Sequence, residues 1–282
     1  MNYRHAFHAG NFADVVKHIA LVHVLLHLRR KEAPFVVLDS HAGRGLYDLA
    51  ADEARRTGEA QNGIARIAGL SGPEALNRYL ALVQESGDNG ASAKAGATIK
   101  KSYPGSPLLA AKMLRPQDRL VAIEKHPEEA AVLREVLAPF RKARVEEGDG
   151  YARLIALLPP PERRGVILLD PPFEAPDEFE TAATTVAGAL RRFATGIFLV
   201  WYPVKSPAAA RAFCGEVLAV GNARALNIEI GIEAGEGRLA RAGLLVLNPP
   251  FGFDSGMEES LGLIAPRLPG GEANLEWLRG EG

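Results

Sequence analysis

Runs of apolar residues alternate along this chain with segments of helical periodicity, and this order constrains the fold more than any other feature. Seven runs have the length and composition of strands, and several are apolar throughout, as expected for strands covered by helices on both faces. They are residues 35–39, 120–124, 143–147, 166–170, 196–202, 226–233 and 242–247. Predicted helices are residues 12–30, 107–114, 127–137 and 178–193. The order predicts an α/β fold with a seven-strand, mostly parallel Rossmann-like sheet.

Length and composition indicate one large globular unit. The chain has 282 residues, of which 47% are hydrophobic and 24% charged, which excludes disordered, collagen-like and disulfide-rich classes. We therefore expect a single domain over residues 1–282. Residues 50–101 contain no convincing strand and predict an inserted helical sub-domain with a loop at 86–97, and residues 1–11 predict an N-terminal arm that contacts substrate.

Several features bear on localisation. The one cysteine, Cys214, cannot form an internal disulfide bond. The apolar stretch at residues 19–28 is too short to span a bilayer, and the charges of Arg4 and Asp14 do not fit the pattern of a signal peptide. We expect a cytoplasmic protein.

The charge is balanced overall but distributed unevenly. A net charge of -1 argues against nonspecific binding of polyanions, although residues 1–34 hold five basic and two acidic side chains and residues 254–282 hold two and six. Basic pairs at 29–30, 141–142, 163–164 and 191–192 are typical of solvated surface or of a rim that contacts phosphates. The sequence leaves open whether these pairs share a face.

Six of the seven histidines lie within the first 41 residues. His23 and His27 are four residues apart and could present two imidazoles on one helix face to a metal ion. Because no third ligand accompanies them, we favour core or surface histidines and expect no metal.

Polar residues stand where three predicted strands end, the edge at which open α/β sheets bind ligands. The first strand leads into a small-residue turn at 39–45, but Asp48 replaces the third glycine of the dinucleotide fingerprint. Glu124 ends the second strand and could accept both hydroxyls of a ribose. Asp149, between two glycines, could accept from the amine of an adenine. Each of these signals is also compatible with an ordinary turn.

The fourth strand ends in Asp170-Pro171-Pro172-Phe173. An amine conjugated with a base ring is a poor nucleophile until acceptors hold its N–H groups, and the Asp170 carboxylate and the Pro171 carbonyl could serve as those acceptors. Phe173 could supply a stacking face. Asn248-Pro249-Pro250-Phe251 matches the same pattern, but it follows the seventh strand, and chain order favours Asp170.

The Asp170 motif resembles that of S-adenosylmethionine-dependent amino-methyltransferases, and the chain resembles one family among them, the RlmJ-type 23S ribosomal RNA adenine-N6 methyltransferases. The resemblance rests on the N-terminal signature at 3–18 and on several further motifs, and it weakens only in the insert's loop and after Phe253. The further motifs lie at residues 39–45, 56–59, 63–67, 103–107, 192–197 and 201–203.

This resemblance implies a set of site residues. The cofactor S-adenosylmethionine would contact His18, His41, Ser106, Glu124, Asp149, Gly150 and Asp170, with Asp170 also catalytic. Tyr3, Lys17 and Phe173 would meet the substrate, and Lys17 matches a lysine that the family requires for activity. Phe173 replaces a more usual tyrosine. The expected partner is 23S rRNA in a protein-free or early-assembly form, and the expected state is a monomer.

Other functions stay open at this stage. The substrate could be a DNA adenine or a protein glutamine amide, which presents a similar planar amine. An NAD-dependent oxidoreductase is disfavoured by the missing glycine and by the lack of a strand-end acid about twenty residues beyond the turn. A ribosome-binding protein with a degenerate site is the last alternative.

Overall fold

The computed structural model describes residues 7–87, 101–235 and 237–280. The strands in chain order are β1 (Val36–Asp39), β2 (Leu46–Asp48), β3 (Ser102–Pro104), β4 (Arg119–Glu124), β5 (Ala143–Glu147), β6 (Gly165–Leu169), β7 (Ile197–Pro203), β8 (Ala225–Gly231), β9 (Arg241–Leu247) and β10 (Glu272–Arg279). The helices are α1 (Phe12–Arg29), α2 (Asp52–Thr57), α3 (Ile64–Ile67), α4 (Glu74–Gly87), α5 (Ser106–Met113), α6 (Pro127–Leu137), α7 (Gly150–Ala156), α8 (Glu178–Arg192), α9 (Pro207–Leu218) and α10 (Phe253–Ile264).

Eight of the described strands form one sheet in the order β10-β8-β9-β7-β6-β1-β4-β5. Five consecutive strands of this order, β7, β6, β1, β4 and β5, run parallel to one another. β9 runs antiparallel to β7 and β8, and β10 pairs antiparallel with β8. The predicted α/β class is confirmed and all seven predicted strands are present. The eighth, β10, extends the sheet at one edge.

Both faces of this sheet are covered, which explains the apolar strands. Along β1, Val37 packs in one hydrophobic cluster while Val36 and Leu38 pack in another on the opposite face. Side chains of a strand alternate between faces, so a strand covered on both sides must be apolar at every position.

Helix α1 is buried almost all round. The Asn11 side chain accepts a hydrogen bond from the backbone N–H of Asp14 at 2.9 Å and so caps the helix. Fourteen of its eighteen residues are buried, because the helix packs against the sheet on one side and against α4 on another. Helix α1 therefore carries the polar residues of its first turns into the interior.

The region predicted as a helical insert contains α2, α3 and α4 within residues 52–87. β2 and β3 pair antiparallel just outside the two ends of the region. Leu76 and Tyr79 of α4 are fully buried in the same cluster as α1. Most of the predicted loop at 86–97 lies outside the described residues, and the division into a sub-domain stays a prediction.

Helix α5 begins one residue earlier than predicted. Gly105 is the N-cap and Ser106 is the first helical residue. The Ser106 hydroxyl donates a hydrogen bond to Asp39 at 2.7 Å. Among the described helices, none combines the length and the apolar character needed to cross a lipid bilayer.

Candidate active site

The carboxyl ends of β1, β4 and β6 meet at one edge of the sheet, and a cavity of about 280 Å³ lies there. Every predicted cofactor residue contributes to its wall. These are His18, His41, Ser106, Glu124, Asp149, Gly150 and Asp170. Residues far apart in sequence are thus brought together as the strand-end argument predicts.

The turn after β1 is fixed to the end of β4. The backbone N–H of Gly43 donates to one carboxylate oxygen of Glu124 at 2.8 Å, and the other oxygen accepts from the N–H of His126 at 2.8 Å. Gly43 has φ +62°, and a Cβ at this position would lie 2.2 Å from the Tyr47 hydroxyl. Only glycine allows this turn, which holds the Glu124 carboxylate at the cavity wall.

The segment after β5 forms a tight approach to the same turn. Asp149 is the N-cap of α7, with one oxygen accepting from the backbone N–H groups of Tyr151 and Ala152. A Cβ on Gly150 would lie 2.1 Å from the carbonyl oxygen of Ser40. The absence of a side chain at Gly150 therefore lets the two loops meet at the cavity.

Asp39 lies behind Ser106 and is 1% exposed. One of its oxygens accepts the Ser106 hydroxyl, and the other has no hydrogen-bond partner among the described residues. Burial raises the pKa of Asp39 to about 7. Burial also lowers the pKa of His41, whose Nδ1 lies 2.8 Å from the Ser40 hydroxyl.

Lys17 reaches from α1 to the end of β6 and contacts two carboxylates. Its Nζ donates to Asp14 at 2.7 Å and also to Asp170, while its side chain is only 4% exposed. Burial alone would lower the pKa of Lys17, but the carboxylates of Asp14 and Asp170 raise it above the ordinary value. Lys17 is therefore a fixed cation beside the Asp170 carboxylate.

A second cavity, of about 610 Å³, adjoins the first. Lys17, Asp170 and Pro172 contribute to the walls of both cavities. Asp170 thus lies at the boundary between two cavities and could contact a molecule bound in either one.

The ring of Phe173 lines this second cavity but is largely covered. Phe173 is 7% exposed, and its ring lies 4.6 Å from Phe179 and 6.5 Å from Phe213 in an aromatic cluster. Trp201, at 5.8 Å from Phe173, is partly exposed and lines the same cavity. Trp201 follows a continuous apolar run near the end of a strand, but that pattern alone predicts no role for it in the site.

A chain of buried polar groups connects His18 with the helical insert. The His18 ring lies 2.8 Å from the Tyr103 hydroxyl, which lies 3.0 Å from the Tyr79 hydroxyl on α4. Tyr3, predicted to meet the substrate, lies outside the described residues.

The competing sequence features lie away from these cavities. The Asn248 amide donates to the carbonyls of Ala194 and Gly196 at the amino end of β7, on the opposite edge of the sheet from Asp170. The His23 ring stacks on Phe253 at 5.1 Å, and burial lowers its pKa to about 4. No group of three or more metal-binding side chains occurs within residues 7–87, 101–235 and 237–280.

Comparison with known proteins decides the family. The model of the family described as "Ribosomal RNA large subunit methyltransferase D, RlmJ" matches residues 32–279. The chain belongs to the RlmJ family.

Members of the RlmJ family match this chain over its whole length. It is 37% identical to the protein named Ribosomal RNA large subunit methyltransferase J of Escherichia coli K12, over 99% of both chains. It is 34% identical to the protein of the same name in Haemophilus influenzae, over 100% of both chains. A crystal structure of a Legionella pneumophila protein superposes with a TM-score of 0.85 at 33% identity, covering 96% of this chain and 98% of that one.

Proposed function

We propose that this protein transfers a methyl group from S-adenosylmethionine to the N6 amine of one adenine in 23S ribosomal RNA. Membership of the RlmJ family and the names of its two relatives support ribosomal RNA methylation. The proposal that the N6 amine of an adenine receives the methyl group rests on the position of Asp170, whose side chain borders both cavities.

The residues around the first cavity suit the cofactor. A ribose needs a carboxylate acceptor, which Glu124 offers, and the amine of an adenine ring needs an acceptor, which Asp149 offers beside Gly150. Ser106 and His18 would hold the remaining polar groups. When bound, S-adenosylmethionine supplies a methyl group made electrophilic by its sulfonium charge.

The second cavity would hold the target base after it leaves its stack. Asp170 and the Pro171 carbonyl would accept hydrogen bonds from the two N–H groups of the amine and so free its lone pair, and Asp170 would take the proton that the amine loses on methylation. Lys17 would hold the Asp170 carboxylate in place before the base enters. Positioning and charge placement then account for catalysis.

We further propose that Trp201 supplies the aromatic face for the base. Phe173 was predicted for this role, but its ring is already engaged by Phe179 and Phe213. Trp201 keeps part of its ring accessible in the second cavity. A base stacked on an aromatic side chain gains about 1–3 kcal/mol.

The test is methylation of protein-free 23S rRNA with labelled cofactor, followed by digestion and mass analysis of the nucleosides. We expect N6-methyladenosine in the RNA treated with the wild-type protein. DNA and a glutamine-containing protein serve as competing substrates, and methylation of either one in place of RNA would refute the proposal.

A further inference from the structure

The edge of the sheet opposite the candidate active site is strongly basic. Five neighbouring parallel strands begin there, and the five segments that precede them hold ten basic and three acidic side chains, a formal charge of +7. The whole chain carries -1. These segments are residues 29–35 before β1, 114–118 before β4, 138–142 before β5, 159–164 before β6 and 191–196 before β7. We call them the amino-edge surface.

Hydrogen bonds hold these segments against one another. Arg115 and Arg164 both donate to the carbonyl of Ala33, at 3.2 and 2.9 Å, so the turn between α1 and β1 lies between them. Arg192 donates to the carbonyl of Leu158 at 3.5 Å, which connects the end of α8 with the loop before β6. The four basic pairs of the sequence therefore belong to one edge of the molecule.

Most of the positive charge on this surface is uncompensated. Asp118 pairs with Arg115 and Glu162 pairs with Arg119, each at 2.8 Å, which leaves Glu32 as the remaining carboxylate. Eight exposed basic side chains of this surface form no ion pair with any described residue. They are Arg29, Arg30, Lys31, Arg141, Lys142, Arg163, Arg191 and Arg192.

The shape of the surface suits an extended polyanion. Neighbouring strands lie about 4.8 Å apart, so the row from β7 to β5 extends for about 19 Å. Phe251 lies on the turn that Asn248 fastens to Ala194 beside β7, and it is 86% exposed. Basic side chains with an accessible aromatic ring are the combination that RNA-binding surfaces use.

We propose that the amino-edge surface binds the phosphate backbone of an RNA segment distinct from the one that carries the target adenine. This inference rests on the proposed function, because it takes the RNA to be the substrate. The candidate active site opens at the carboxyl edge, where the wall of the first cavity holds six carboxylates against two lysines, Lys17 and Lys125. A second contact on the basic edge supplies the attraction that the acidic edge lacks, and it selects RNA long enough to reach both.

The test compares two triple variants with equal change in net charge. The first replaces residues of the amino-edge surface, as Arg30→Glu, Arg163→Glu and Arg191→Glu. The control replaces exposed arginines elsewhere, as Arg134→Glu, Arg211→Glu and Arg267→Glu. Binding of each protein to protein-free 23S rRNA is measured at several salt concentrations, together with kcat, KM and cofactor affinity.

We expect the amino-edge variant to lose about 3 from the slope of log K against log salt, because each lost phosphate contact removes about 1. Its KM for RNA should rise at least tenfold, with kcat and cofactor affinity unchanged, while the control keeps the wild-type slope. Equal slopes in both variants, or a loss of stability without a change in slope, would overturn the proposal. Basic residues that merely stabilise helix ends would give that second result.

The same data separate this inference from the proposed function. If the wild-type protein methylates RNA but the amino-edge variant binds it normally, the surface proposal is wrong and the function stands. If the wild-type protein binds RNA through this surface but leaves it unmethylated, the function is wrong and the surface stands. If it neither binds nor methylates RNA, both are wrong.

Discussion

Replacing Lys17 by methionine tests the charge arrangement at the centre of the site. Lys17 is 4% exposed and contacts Asp14 and Asp170, so its removal takes a buried cation away from two carboxylates. Removing one partner of a buried ion pair costs about 3–5 kcal/mol. A domain has a total stability of about 5–15 kcal/mol, so Lys17→Met should lose a large fraction of it.

The dependence on pH distinguishes charge from packing. Without Lys17, two carboxylates that are negatively charged at high pH lose the buried cation that faces them both. The loss of stability should therefore be small near pH 4 and grow as pH rises towards 8. Urea denaturation at both pH values measures this difference.

Two further variants act as controls. Lys112→Met removes a cation that is 20% exposed and 3.9 Å from Glu85, and it should cost at most about 1 kcal/mol. Adding Asp14→Asn to Lys17→Met should restore part of the stability, since it removes one of the two negative charges that Lys17 contacts. A loss for Lys17→Met that equals that of Lys112→Met, or that is the same at pH 4 and pH 8, would refute the reasoning.

Three other predictions concern single positions. The protein has two tryptophans, so in a Trp277→Phe background the fluorescence reports on Trp201, and RNA should quench it. Adding Trp201→Ala should raise KM for RNA about tenfold or more, the equivalent of about 1–3 kcal/mol of stacking. Unchanged fluorescence and KM would contradict the stacking role. The wild-type protein should lose up to about 4 kcal/mol of stability between pH 4 and pH 7, because the raised folded-state pKa makes ionisation of Asp39 unfavourable. Asp39→Asn should abolish this loss. Denaturation at the two pH values checks the prediction, and an unaltered profile in the variant would count against it. Gly150→Ala should weaken cofactor binding at least tenfold in calorimetry, because its Cβ meets the carbonyl of Ser40; wild-type affinity would exclude this steric role.

The central strands could be predicted from the sequence because their apolar character is continuous. β1 and β6 are buried at every position, and no other element type explains such short runs between turn residues. β10 was missed because it is an edge strand with mostly exposed residues, among them Glu272 and Glu276, in a segment that looked like an acidic tail. The short pair β2 and β3 depends on long-range pairing that leaves no local pattern.

The candidate site was predictable where each residue ends a strand. Glu124 and Asp170 follow apolar runs, and the rule for open sheets places both at one edge. The ion pairs of Lys17 could not be predicted, because they depend on how α1 packs across the sheet. The burial of Phe173 could not be predicted either, because two of the three rings that surround it, those of Trp201 and Phe213, come from distant segments.

The most direct test of the account is the rate of methyl transfer to protein-free 23S rRNA by Asp170→Ala, compared with the wild-type protein. This variant removes the side-chain acceptor, and cofactor affinity measured by calorimetry reports whether the first cavity is intact. The account predicts a fall in kcat of at least a hundredfold, with the cofactor still bound. Formation of N6-methyladenosine at the wild-type rate would contradict it.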